Sequence, residues 1–427
     1  MMGKLVNFCA GADKNKRPVQ ANNYLFNAAE YGSSDRRVEK AKSLVQAAKP
    51  QCFMLDSGGY PLLSAELKGW KIAHDQDRPL IYRKGEINIT PRHVMECASS
   101  LKPDIVFALD FPVGKFKTDD ERGREFNRKL PVNDQWAHES AEWHRRLCPE
   151  AKLFQPVQAY RIDHLDTFFM RTTNVRFDGV AMPVREAKLH EIALFMTSFV
   201  QRGFNQVHLL GTASFLKIAM FAFFAGSMFD WVSLDATSWN SAAIRGGFMS
   251  QKNLSRIDLR PNRKLDPGFY NDCPCPFCSG QSFTEIQGMP KKQKFELLRQ
   301  HNWWAIDRVV TDLEKNSSNL QQLEKFLKNR NAKSVEIDNL INTLALVDCL
   351  KNDDIEVLET ILGPISKRRK STERSRNPTD PILAPRKQTK VSPDENQTCS
   401  SADFSSDPWS ELEQNLKIKQ EDKQHVE

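Results

Sequence analysis

Apolar residues along the first 240 positions gather in short blocks, each closed by Gly, Asp, Pro or Gln, with longer mixed stretches between them. Blocks of this length bounded by turn residues predict buried strands. Seven are predicted, at 4–9, 52–55, 104–109, 153–158, 179–182, 207–210 and 231–234. Helices are predicted over 36–48, 91–101, 186–203 and 215–225, and a long polar and helical region covers 118–148. Strands alternating with helices mean βα units and a parallel sheet. The nearest regular architecture is a (β/α)8 TIM-like barrel. A doubly wound open sheet is the alternative, but no G-x-G-x-x-G follows the first strand.

The strand ends carry the chemistry. QCFMLDSGGYP, residues 51–61, breaks from an apolar run into Asp56, Ser57, Gly58 and Gly59. A carboxylate followed by two glycines lets backbone approach a ligand closely. On its own the stretch also reads as a strand, a turn and an Asp cap. The arrangement recurs: 104–109 ends in Asp110, 153–158 in Gln158, 231–234 in Asp235, and Gly211 closes 207–210. In a βα barrel these ends share one rim. Three carboxylates and an amide on one rim predict a site. No His-x-His or equivalent ligand set stands at a strand end, which speaks against metal-dependent hydrolysis.

Composition adds the setting. Hydrophobic residues make up 40% of the 427, enough for a sizeable core. The most apolar stretch, 215–229, is too short to span a bilayer and carries Lys217, so it reads as a buried helix and no membrane partner is expected. The first residues lack the apolar region and cleavage site of a signal peptide. With nine scattered cysteines, this predicts a reducing cytoplasm and no disulfide framework. The net charge of +7 is uneven: residues 366–390 carry +7, residues 391–427 carry −6, and the remainder is mildly basic. A mildly basic body suits a polyanionic partner.

Cys273, Cys275 and Cys278 lie within six residues, between prolines. Zinc takes four ligands, and His301, 23 residues on, is the candidate fourth. A Cys3His set leaves no open position, so the expected Zn2+ is structural. The expected organisation is a catalytic barrel over 1–250, a zinc-binding subdomain with barrel closure over 251–310, a helical extension over 311–365 and a disordered charged tail over 366–427.

Several stretches resemble the tRNA-guanine transglycosylases. DSGGY resembles that family's DSGGF motif, ALDFP its base-reading Asp motif, and PVQAY its V-Q-G segment. HLLG resembles its L-M-G strand, and VSLDATSWNSAAIRGG its nucleophile loop. The C-x-C-x-x-C followed by HN resembles its zinc site. The order of the motifs agrees over roughly residues 50–305. Pro61 stands where the family usually has Gln, MPVRE where it has S-V-G-E, and Arg245-Gly246-Gly247 lacks the Asn and Gln that follow that Arg in the tRNA enzymes. These departures fall in loops that handle the base and its neighbours. They point to the related DNA 7-deazaguanine transglycosylases of bacteria and phages.

That resemblance implies exchange of guanine in DNA for a 7-deazaguanine such as 7-cyano-7-deazaguanine, with a tRNA anticodon loop or a non-catalytic accessory role as alternatives. It implies Asp235 as nucleophile and Asp56 as general acid and base. Asp110 and Gln158 would read the purine, with Ser57, Gly58, Gly59 and Gly211 around it. A partner protein of a DNA-modification system is a further implied partner. Asp230 rivals Asp235, but it begins its strand. Five residues at about 3.3 Å each place it roughly 16 Å from the catalytic rim. The basic run 367–376 either holds the nucleic-acid backbone or is a solvated charge run.

Overall fold

The computed structural model describes residues 3–11, 21–73, 80–114, 118–264, 273–330 and 334–350, with 355 and 360. Eight parallel strands close into a barrel: β1 (Lys4–Ala10), β2 (Asn23–Asn27), β3 (Cys52–Asp56), β4 (Ile105–Phe107), β5 (Lys152–Pro156), β6 (Gly179–Pro183), β7 (Gln206–Leu210) and β8 (Trp231–Ala236). Each pairs in parallel with its neighbours in chain order, and β8 returns to β1 through Lys4↔Trp231 to Cys9↔Ala236. The helices wrap outside, which gives the (β/α)8 TIM-like barrel expected.

Period-two alternation sorts each strand's side chains. Val6, Phe8, Leu25, Met54, Ile105, Phe107, Phe154 and Ala181 form one buried cluster that plugs the barrel. Their neighbours Leu5, Phe53, Leu55, Val106, Leu153 and Val180 join the larger core beneath the helices. Both faces are apolar, so the strands read as continuous runs.

The strand absent from the seven expected is β2. NYLFN is only five residues long, is flanked by Asn and follows a polar segment, so its apolar block is three residues. The 215–225 expectation corresponds to the buried Phe215–Ser227 helix, whose Lys217 ammonium donates to the carbonyls of Val184 and Arg185. No helix among the described residues is long and apolar enough to cross a membrane.

Between β3 and β4 the chain makes an insertion: a helix at Gly59–Leu67, then a three-stranded sheet of Lys71–Ala73, Ile81–Arg83 and Glu86–Asn88. The Pro91–Leu101 helix, capped by Thr90, then returns to the barrel. After β8 come the Ser238–Ile244 helix, a two-stranded hairpin of Gly247–Met249 and Arg256–Asp258, and the 25-residue Lys291–Lys315 helix. That last helix lies against β1, where Glu314 accepts from the Leu5 amide at 3.0 Å. Helices at Leu320–Asn329 and Ser334–Leu350 follow. The chain divides after Ser366. The tail expected to be disordered, with its basic run 367–376, lies outside the described residues.

Candidate active site and metal site

Asp56 ends β3, Asp235 is the penultimate residue of β8, and Asp110 and Gln158 follow β4 and β5 by three and two residues. All eight strands run the same way, so the four stand on one rim. Asp56 accepts from the Asn27 amide at 2.7 Å. Burial, then the charges of Asp110 and Asp235, push its carboxyl up to about 7. The Gly58 amide and Asn27 oppose that rise by bonding the ionised form.

Asp110 is buried, and both oxygens have donors. Ser57 Oγ donates to Oδ1 at 3.1 Å and Gln158 Nε2 to Oδ2 at 2.6 Å. The Val113 amide donates to Gln158 Oε1 at 3.2 Å, which fixes the amide with its NH2 toward Asp110. Burial raises Asp110 to about 6 despite these donors. The long Asp119–Leu147 helix holds the segment from outside. Asn133 brackets Phe111, accepting from its N–H at 2.7 Å and donating to its carbonyl at 3.1 Å, and Ser140 Oγ accepts from the Leu109 amide at 3.1 Å. Lys129, buried under the Phe111 ring, donates to the Pro112 carbonyl at 2.7 Å.

The two glycines make this packing possible. Gly58 has φ +106°, and a Cβ on it would lie 2.6 Å from Ala29 Cβ. A Cβ on Gly59 would overlap the Asp110 carboxyl, with Cγ at 2.8 Å. Both glycines and Ser57 therefore touch the walls of the site.

Asp235 is buried, and its Oδ1 meets two groups. The Gly211 amide donates at 2.8 Å, and His208 Nε2 lies at 3.3 Å. Gly211 thus engages the carboxylate expected to be the nucleophile. Asp230 precedes β8, at the opposite end of the barrel, where its backbone carbonyl accepts from the Lys4 amide at 3.0 Å.

Cys273, Cys275, Cys278 and His301 are buried with their ligand atoms within 4.8 Å of one another. His301 Nδ1 lies 3.5, 3.3 and 3.4 Å from the three sulfurs. Ligands of a tetrahedral zinc at ordinary bond lengths are separated by about 3.5 Å. His301 Nε2 meets the Met249 carbonyl at 2.8 Å, which leaves Nδ1 free to ligate. The donor set and the fixed ring fit a metal ion. The cluster also ties three segments together. The His301 ring stacks on Phe248 at 3.6 Å, and the adjacent Asn302 bonds the Met249 amide and the carbonyls of Trp239 and Gly247.

Residues 14–334 match the queuine tRNA-ribosyltransferase family. The chain belongs to this family. Similar curated proteins are tRNA-guanine(15) transglycosylases: that of Sulfolobus acidocaldarius is 24% identical over 60% of this chain and 46% of its own length. The Korarchaeum cryptofilum protein is 23% identical over 52% and 36%, and the Pyrococcus abyssi protein 22% identical over 54% and 37%. The chain thus spans less than half the length of the curated relatives it matches.

In this family member two residues touch the rim carboxylates that sequence reasoning passed over. Asn27 ends the strand that was not recognised, and a strand-terminal Asn was its only signal. His208 sits inside HLLG, where an imidazole in a barrel strand among apolar residues was the signal available.

Proposed function

We propose that the protein exchanges guanine in DNA for a 7-deazaguanine base, 7-cyano-7-deazaguanine, through a covalent bond between Asp235 and the sugar. The observation that carries the chemistry is the placement of Asp56 and Asp235 on one rim beside the Asp110–Gln158 pair. In the first step an Asp235 oxygen attacks the anomeric carbon, the bond to guanine N9 breaks, and Asp56 supplies the proton the departing base takes up. In the second, Asp56 removes the N9 proton of the incoming base, N9 attacks the anomeric carbon, and the Asp235 ester bond breaks. A carboxyl near 7 can take both parts at neutral pH. Both contacts on Asp235 fall on Oδ1, so Oδ2 is the attacking oxygen. Asp110 accepts from the purine's ring N–H and amine, and the Gln158 amide serves its carbonyl.

DNA is favoured by the loops that depart from the tRNA enzymes: Pro61, MPVRE and Arg245-Gly246-Gly247. A duplex hides the anomeric carbon, so the target nucleotide must be flipped or already unpaired. The second reading, insertion into tRNA, draws on the relatives, which are named for tRNA. A non-catalytic accessory role fits less well with both carboxylates in place. The metal is assigned as structural Zn2+ on Cys273, Cys275, Cys278 and His301, clamping segment 251–310 to the 1–250 barrel, with 311–365 a helical extension. The cytoplasm is the assigned compartment.

The test is purified protein with labelled 7-cyano-7-deazaguanine and either duplex DNA or unmodified tRNA, with any partner protein encoded nearby. Label in DNA is expected. Label only in tRNA overturns the DNA assignment, and label in neither overturns base exchange.

A further inference from the structure

Against the apolar plug of the barrel interior stands a buried polar pair. His208 on β7 and Ser233 on β8 are both fully buried and are direct partners in the strand register. The imidazole stands between the rings of Phe8, at 5.9 Å, and Phe107, at 5.3 Å. Buried polar groups among such walls need partners. Ser233 Oγ lies 2.7 Å from His208 Nδ1, and His208 Nε2 lies 3.3 Å from Asp235 Oδ1. Asp235, two residues after Ser233, faces the same interior.

The tautomer follows from the chain of contacts. Ser233 has one hydroxyl proton and two acceptors in reach: Nδ1 at 2.7 Å and the Val207 carbonyl at 3.5 Å. Given to Nδ1, it leaves the ring hydrogen on Nε2, aimed at Asp235. The opposite tautomer sets an imidazole lone pair against a carboxylate oxygen. We infer that Ser233 and His208 form a hydrogen-bond relay, Ser233 Oγ–H to Nδ1 and Nε2–H to Asp235 Oδ1, that makes Asp235 a better leaving group in the second half of the exchange.

This step rests on Asp235 forming the sugar ester proposed above. In the ester, Oδ1 is a neutral carbonyl oxygen. In the free enzyme, and in transition states with a nearly broken C–O bond, it shares a full negative charge. A donor bonds the charged form more strongly. His208 therefore stabilises the free carboxylate and both transition states relative to the ester. Removing it leaves formation of the ester little changed and slows its breakdown. His208 touches no substrate in this scheme and is a positioning residue.

Two measurements on the full chain test the relay. The first is 15N and 1H NMR of histidine-labelled protein without substrate. An Nε2–H tautomer at His208, lost to a mixture of tautomers in Ser233→Ala, is expected. An Nδ1–H tautomer in the unsubstituted protein overturns the relay, because Nε2 then has nothing to donate. The second follows the covalent adduct by denaturing gel in single turnover, with the folded state checked by thermal melting. His208→Phe should slow adduct breakdown on the order of tenfold to a hundredfold, so that adduct accumulates while its formation stays within about threefold. His208→Gln, which restores an N–H donor, should recover breakdown. Equal slowing of both steps by His208→Phe, with no recovery in His208→Gln, overturns the relay in favour of a packing role. If the unsubstituted protein forms no adduct on DNA or tRNA, base exchange is what fails, and the tautomer alone decides the relay.

Discussion

Asn27 and Asp56 occupy matching positions on adjacent strands, and the Asn27 amide donates to Asp56 Oδ2 at 2.7 Å. The bond supports the ionised carboxylate against burial and two neighbouring carboxylates. Asn27→Ala removes it, so the Asp56 carboxyl should rise above about 7. The alkaline limb of the pH–rate profile should move up with it, by roughly one pH unit for one charge-assisted hydrogen bond, and exchange at pH 8 should be less depressed relative to its maximum than in the unsubstituted protein. Stopped-time base-exchange assays between pH 5 and 9 measure both effects.

The two raised carboxyls predict a bell-shaped profile for the unsubstituted protein. Below about 6, Asp110 takes a proton and loses acceptor capacity toward the purine. Above about 7, Asp56 can no longer supply the proton the leaving base needs. Asp110→Asn should remove the acid limb together with guanine affinity, and Asp56→Asn should block exchange at every pH.

The same shifts set a stability window. In the fold both carboxyls keep protons that the unfolded chain releases above pH ~4. Stability therefore falls as pH rises from ~4 through the folded values near 6 and 7. Asp56→Asn, which cannot ionise, should melt higher than the unsubstituted protein at pH 8 and no higher at pH 3.5. Calorimetry at the two pH values checks the sign.

Gly59→Ala should be far more damaging than its size implies. The new Cβ would occupy space held by the Asp110 carboxyl, so the carboxyl must shift. Displacing Asp110 breaks its bonds to Ser57 and Gln158 together. Guanine affinity should drop by on the order of a hundredfold, as expected for roughly 3 kcal/mol of lost polar contacts, with a much smaller change in melting temperature.

The barrel was legible because each strand buries both faces and so stands out as an apolar block ended by a polar residue. Asp56, Asp110, Gln158 and Asp235 were visible for the same reason, as abrupt polar ends. β2 was not: its inward positions 23 and 27 are Asn, and only Leu25 between them is apolar. The insertion sheet at 71–88 was missed because its strands are three residues each and mostly half-buried or exposed. What Gly211 does was hidden as well, since a backbone amide reaching across to a neighbouring strand leaves no mark on side-chain identity.

The two acidic residues of β8 and its entry should separate cleanly. Asp235→Ala should abolish exchange and adduct formation while the protein stays folded. Asp230→Ala should retain the exchange rate and act through stability, because Asp230 lies at the far end of the barrel and bonds Asn205 there. A trapped covalent adduct in the Asp235→Ala protein would remove Asp235 from the nucleophile role.

Metal removal should act on the catalytic rim from a distance. The cluster holds His301, and the residue after it, Asn302, bonds the carbonyls of Trp239, in the Ser238–Ile244 helix that follows Asp235, and of Gly247, which begins the next strand. The ligand atoms of Cys273, Cys275, Cys278 and His301 lie buried within 4.8 Å of one another, and an ion bound there would couple the Cys273–Cys278 loop to His301. Protein purified without chelator is expected to contain one zinc per chain by elemental analysis. Cys275→Ser should lower that content, reduce thermal stability by several degrees and impair exchange by more than the unfolded fraction alone accounts for. Added zinc should restore chelator-treated protein but not Cys275→Ser. Absence of stoichiometric zinc in the unsubstituted protein would rule out the structural-zinc assignment.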